Sequence, residues 1–253
     1  MSVLGVLLVL FILCMSLILG KSAVYVLSGL FMNLVLFLLF LFFLNQGFSV
    51  YFVSFVYILG NSLITLAYVN GWNEKTKAAF YSMLLFLVVL GVIFIPLIQS
   101  LAVHGFPAQE MEELSVMNLD MPIRFSELSV AVLFIGVSGA LIDGSMAIAS
   151  ATTELYHRRE GNIEFMGLFE SSMTVVKSIL NSTINTLLFA FISSSLALIF
   201  WYQDLNIPWQ EMIHSKAFVD ELAIILLSGV GVAVILPFTS VVTCWYLLKQ
   251  KTR

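Results

Sequence analysis

Asp143 is an acid in the middle of a long apolar run. The segment from Leu128 to Glu154 reads LSVAVLFIGVSGALIDGSMAIASATTE. A carboxylate at the centre of a lipid-embedded helix costs roughly 2.5–3.5 kcal/mol on insertion scales. Groups held at that cost take up and release protons, hold cations, or pair with a neighbour. Asp143, Ala147, Ser150 and Glu154 fall at helical spacing, so they form one stripe with a carboxylate at each end. The next apolar run opens with Ser178, Asn181, Ser182, Thr183, Asn185 and Thr186. Measured from the near end of each run, Asn185 is about 10 Å deep and Asp143 about 12 Å deep. The two depths predict a contact from Asp143 to Asn185 or Thr186, direct or through water. Asp143, Glu154, Ser150, Asn181, Asn185 and Thr186 are thus the candidate proton- or cation-coupling residues. The plainer reading is hydrogen-bonded glue between helices, where such contacts contribute about 0.6–2 kcal/mol each. That reading suits the scattered Asn, Ser and Thr better than Asp143, because an ionisable group is a costly glue.

Enzyme chemistry has little to stand on. An intramembrane aspartyl dyad needs two acids at one depth, and Asp143 has no companion. His104, His157 and His214 lie between the apolar runs without metal-ligand spacing. There is no GxSxG serine and no P-loop. We therefore expect no enzyme, no cofactor and no metal. The two cysteines, Cys14 and Cys244, both sit in apolar runs and read as unreactive thiols.

The elements that must position these residues are membrane helices. Of 253 residues, 60% are hydrophobic and 10% charged, less than half the charged share of a soluble domain. The runs are continuous rather than alternating, which excludes an outer-membrane barrel. No basic surface suggests nucleic acid; the expected surroundings are a lipid bilayer. Seven spans are expected, near Val3–Leu19, Ala23–Leu44, Val50–Val69, Ala79–Val103, Leu128–Ala151, Ser178–Tyr202 and Leu222–Leu248. The N-terminal run lacks a basic flank and reads as the first span rather than a signal peptide. The whole chain, 1–253, is one all-α membrane domain with a four-span half, 1–103, and a three-span half, 128–248.

Orientation follows from Lys and Arg. Lys21, Lys75, Lys77, Arg158, Arg159, Lys177, Lys249, Lys251 and Arg253 fall on one side, Arg124 and Lys216 on the other. Positive charge stays in the cytoplasm, so the C-terminus is cytoplasmic and the N-terminus outside. Between spans five and six, Phe165, Leu168, Phe169, Met173 and Val176 share one helical face within Asn162–Lys177. That pattern predicts a separate amphipathic helix lying on the membrane surface. Small residues predict close helix packing, and Gly136, Gly139, Gly144, Gly229, Gly231 and Pro237 are the packing and bending candidates.

The stretch IGVSGALIDGSMAIASATTEL from Ile135, followed by SILNSTINTLLFAF from Ser178, resembles the YibE/F-like family of bacterial polytopic membrane proteins. The shared pattern is a Gly/Ala-rich span with one Asp, a Ser/Ala stretch ending in Glu, and then an Asn/Thr-rich span. It covers mainly residues 128–248. The resemblance implies a multi-pass protein of the bacterial cytoplasmic membrane and a paralogous membrane partner. It maps the motif's acids onto Asp143 and Glu154 and carries no catalytic role. The expected function is a permease-like component coupled to protons or a cation, or alternatively a non-transporting scaffold or regulatory subunit beside the paralogue.

Overall fold

A lipid environment offers the backbone no hydrogen bonds, so long apolar segments close their own as helices. The computed structural model describes residues 3–100, 125–158 and 164–251, and among these it contains helices and no strand. In chain order, α1 is Val3–Leu19, α2 is Ser22–Asn45 and α3 is Val50–Ser62. A π-helical stretch, Leu63–Val69, continues α3 without a break. Next come α4, Glu74–Ser100; α5, Phe125–Arg158; α6, Phe165–Asp204; the short α7, Trp209–Ile213; and α8, Lys216–Lys251. The helix pairs α1–α2 and α2–α3 are joined by tight turns in which Gly20 (φ 54°) and Gly47 (φ 79°) adopt the left-handed conformation that side chains disfavour.

Among the described residues, five stretches are long and apolar enough to cross a bilayer: Ser22–Asn45, Val50–Val69, Phe134–Arg158, Phe165–Asp204 and Ala217–Gln250. The apolar α1 is shorter, at 17 residues. Residues 101–124 lie outside the described residues, and with them the expected end of span four, His104 and Arg124. Arg159, Asn162 and Ile163 also lie outside them.

The centre of the molecule is the pairing of α5 with α8. Val137, Leu141, Ile142 and Ile148 of α5 share one core with Val232, Ile235 and Leu236 of α8. Met83 and Phe86 of α4, Ile58 of α3, Leu66 of the π-helical stretch and Val176 of α6 complete it. A second cluster, Phe40, Leu44, Val50, Val53 and Ala131, closes the end where α2 turns into α3. At the opposite end, His157 of α5 reaches Glu74 of α4 at 3.7 Å.

Among the described residues, the separate surface helix expected between spans five and six is not formed. α6 is one helix of 40 residues, roughly 60 Å long at 1.5 Å per residue. No proline interrupts it, and its single glycine, Gly167, sits in the first turn, where it breaks nothing. Its apolar stripe is real but turns into the bundle: Leu168 and Val176 are buried, and Met173 packs on the core.

Candidate functional site

Near the end of the bundle that carries Arg158 and Lys249, α5, α6 and α8 meet through hydroxyls. Thr152 and Ser172 are hydrogen-bonded at 2.7 Å, and Ser240 donates to Ser172 at 2.7 Å. All three side chains are buried. A serine at the crossing of three helices lets the backbones approach and also binds across them. Thr239 and Thr243, on the same stretch of α8, are fully buried with no hydrogen-bond partner for their hydroxyls among the described residues. The neighbouring Pro237 has no N–H to donate within α8, and the helix nonetheless continues through it. Cys244 is buried here as well, while Cys14 is exposed on α1.

The Thr152–Ser172 contact sets the register of α5 against α6. Asp143 precedes Thr152 by nine positions, and Asn181 follows Ser172 by nine, in antiparallel helices. Both therefore stand about 13.5 Å from the hydroxyl contact. Asp143 is level with Asn181 and Ser182, one helical turn from the expected Asn185. The expected contact itself is not made. Asp143, Asn181 and Asn185 are all exposed, and no hydrogen bond or ion pair among the described residues reaches them. Thr186 donates to the Ser182 carbonyl of its own helix at 3.0 Å. The contact fails on direction rather than depth: nine positions from the facing Thr152–Ser172 pair is half a turn beyond whole turns, so Asp143 and Asn181 each point away from the other helix.

The stripe on α5 survives as a face. Val132, Gly136, Gly139, Asp143 and Glu154 are exposed, with Ala147 and Ser150 half-buried between them. Glu154 pairs with Arg158 one turn on, at 2.7 Å, on the exposed surface. It is engaged locally and lies apart from Asp143. On α6, Ser178, Asn181 and Asn185 recur at helical spacing and are all exposed. Asp143, Glu154, Asn181, Asn185 and Thr186 thus lie on outward faces, while α5, α6 and α8 are joined by packed apolar side chains and hydroxyls.

The packing candidates divide in the same way. A Cβ on Gly144 would come within 2.9 Å of Leu236, and one on Gly231 within 3.3 Å of Leu141. These two glycines let α5 and α8 touch. Gly136 faces Ile224 at ordinary contact distance, whereas Gly139 and Gly229 have open space where a side chain would be.

A further polar group lies in the N-terminal half, where the sequence analysis placed no site. Asn61 and Thr65 lie where α3 passes into its π-helical stretch, and Asn33 faces them from α2. Thr65 donates to Asn61 Oδ1 at 3.3 Å, and Asn33 Nδ2 approaches Thr65 at 3.5 Å. Asn70 donates to the Thr65 carbonyl at 2.7 Å, partnering a backbone group within the widened helix. Among the described residues no group of His, Cys, Asp and Glu could hold a metal ion.

The family model described as YibE/F-like protein matches residues 7–249. The chain belongs to that family, over nearly its whole length rather than the half that carried the resemblance. No curated protein matches it, and no solved structure does.

Proposed function

We propose that this YibE/F-like membrane protein is a permease-like subunit of a larger assembly, in which Asp143 exchanges a proton or binds a cation. The observation that carries the reading is an ionisable side chain on the outward face of a membrane helix, with no hydrogen bond or ion pair reaching it among the described residues. Lipid is a poor environment for a carboxylate, so a second chain beside α5 and α6 gives that face a use. The lysine and arginine distribution supports seven spans, an external N-terminus and a cytoplasmic C-terminus, in a bacterial cytoplasmic membrane.

The test is proton- or cation-gradient-driven flux in proteoliposomes for the wild type, Asp143→Asn and Asp143→Glu. Asparagine abolishes flux at unchanged membrane abundance, and glutamate keeps part of it. Full flux in the asparagine variant would remove the ionisable role. A second reading, a non-transporting scaffold or regulatory subunit beside a paralogous partner, is favoured by the closely packed α5–α8 contact. On that reading Asp143→Asn weakens assembly and no flux is found in any variant.

A further inference from the structure

α4 and α8 run antiparallel, since Tyr81 lies against Tyr246 and Phe86 against Phe238, with ring centroids 6.4 and 6.2 Å apart. Beside the tyrosine contact they leave an outward groove of about 400 Å³, lined by Tyr81, Val242, Trp245, Tyr246, Lys249 and Gln250. The chemistry changes along it in the same order on both helices. Lys77 is four positions before Tyr81, and Lys249 is three positions after Tyr246. Antiparallel helices therefore carry both cations to one end, about 4.5–6 Å from the tyrosine contact. Leu85 and Val242 stand four positions away in the other direction. Charge comes first, aromatic rings next and apolar side chains last. Lys249 Nζ lies 4.5 Å from the centre of the Trp245 ring, whose face attracts a cation. Among the described residues no hydrogen bond uses the hydroxyls of Tyr81 and Tyr246 or the indole N–H of Trp245. Glu74, an acid at this end, has its Oε2 3.7 Å from His157 Nε2 of α5.

We infer that this groove binds one anionic phospholipid, with its phosphate at Lys249 and Lys77 and the start of an acyl chain along Val242 and Leu85. The family and the long apolar helices place the chain in a bilayer, so lipid lies against its outward surfaces and the lining selects which lipid. Trp and Tyr settle at headgroup level, which sets the groove at the depth of the phosphates. Ordinary interfacial anchors would account for the rings, but not for a concavity with two cations at its head. Basic pockets between membrane helices take up anionic headgroups. Lysine is a compact charge with three donors and no acceptor. It favours a phosphate whose charge is not already balanced by an ammonium in the same headgroup. Such a site needs only the membrane location and no transport step.

The test is native mass spectrometry of delipidated protein, titrated in detergent with phosphatidylglycerol or with phosphatidylcholine of the same acyl chains. The first phosphatidylglycerol is expected to bind more tightly than the first phosphatidylcholine. A lysine beside an anionic lipid contributes about a fivefold gain, so Lys249→Gln and Lys77→Gln should each weaken phosphatidylglycerol about fivefold. The two variants lie on different helices, so the result does not hang on the folding of either one. Lys75→Gln removes the same charge two positions from Lys77, on another face of α4, and should change nothing. Phosphatidylglycerol should also raise the thermal midpoint of the wild type and of Lys75→Gln, and do so less for the other two variants. Millimolar inorganic phosphate should not displace the lipid.

Equal affinity for the two lipids overturns the inference and leaves the rings as plain interfacial anchors. So does a Lys249→Gln variant that binds phosphatidylglycerol as the wild type does, or an equal loss from Lys75→Gln. Displacement by inorganic phosphate overturns it in favour of a soluble phosphate ligand.

Discussion

Two polar regions share the three helices of the C-terminal half, and they are built oppositely. The buried one, between α5 and α8 and at the foot of α6, contains hydroxyls and the Cys244 thiol; Thr152, Ser172 and Ser240 bond across helices, and four others bond locally. Ser138 donates to the Ile135 carbonyl, Ser145 to Ile142, Thr153 to Ala149 and Ser228 to Ile224. The exposed one contains a carboxylate and two primary amides, and no such local bond uses them among the described residues. A hydroxyl satisfies itself on the turn below and is cheap to bury. Asp and Asn at mid-helix reach such carbonyls poorly and need a group from elsewhere. Polarity alone therefore does not mark a site in a membrane bundle; the distinction is between polar groups that satisfy themselves and polar groups that wait for a neighbour.

That contrast can be broken at four places. The largest effect should come from Gly144→Leu, because even one added carbon there meets Leu236 at 2.9 Å. Overpacking of this kind costs about 1–3 kcal/mol or more. Detergent-solubilised protein should lose its sharp size-exclusion peak, whereas Gly139→Leu should keep it. Equal damage from both variants would mean that the two glycine faces of α5 are not different after all.

Next is Ser172→Ala, which leaves Thr152 and Ser240 buried without their shared partner. The penalty for such unpaired groups is about 1–3 kcal/mol, read as a lower thermal midpoint by intrinsic fluorescence. Asp143→Asn removes a charge that nothing in its own chain compensates among the described residues. It should leave that midpoint unchanged or slightly raised while flux disappears. A large loss of single-chain stability would instead place Asp143 among the structural groups. Smallest of all, Glu154→Gln breaks only an exposed pair with Arg158. Pairs of this spacing contribute about 0.3–0.5 kcal/mol, so neither stability nor flux should change measurably. A flux defect would return Glu154 to the coupling set.

Much of this molecule was legible in its residues, and the reasons differ element by element. The long apolar runs announced α2, α3, α5, α6 and α8 because lipid insertion depends on summed hydropathy, a local quantity. Gly20 and Gly47 announced their turns because left-handed backbone favours glycine. The π-helical stretch Leu63–Val69 was not visible, since its composition matches an α-helix and only the pairing of its carbonyls differs. The separate surface helix was a misreading of a real stripe. Leu168, Met173 and Val176 do share a face, but an amphipathic pattern looks the same whether it lies on lipid headgroups or on the feet of two other helices.

The sequence by itself determined the solvent, the helical class and the family: this chain lives in a bilayer, and its composition leaves no other stable form. Only the tertiary structure decided which side of α5 faces inward. In water an apolar stripe separates core from surface. In lipid both sides of a helix are apolar, so the pattern carries no inside and no outside. The outward position of Asp143 therefore emerges from how Gly144 and Gly231 draw α5 and α8 together, a contact between residues far apart in the chain.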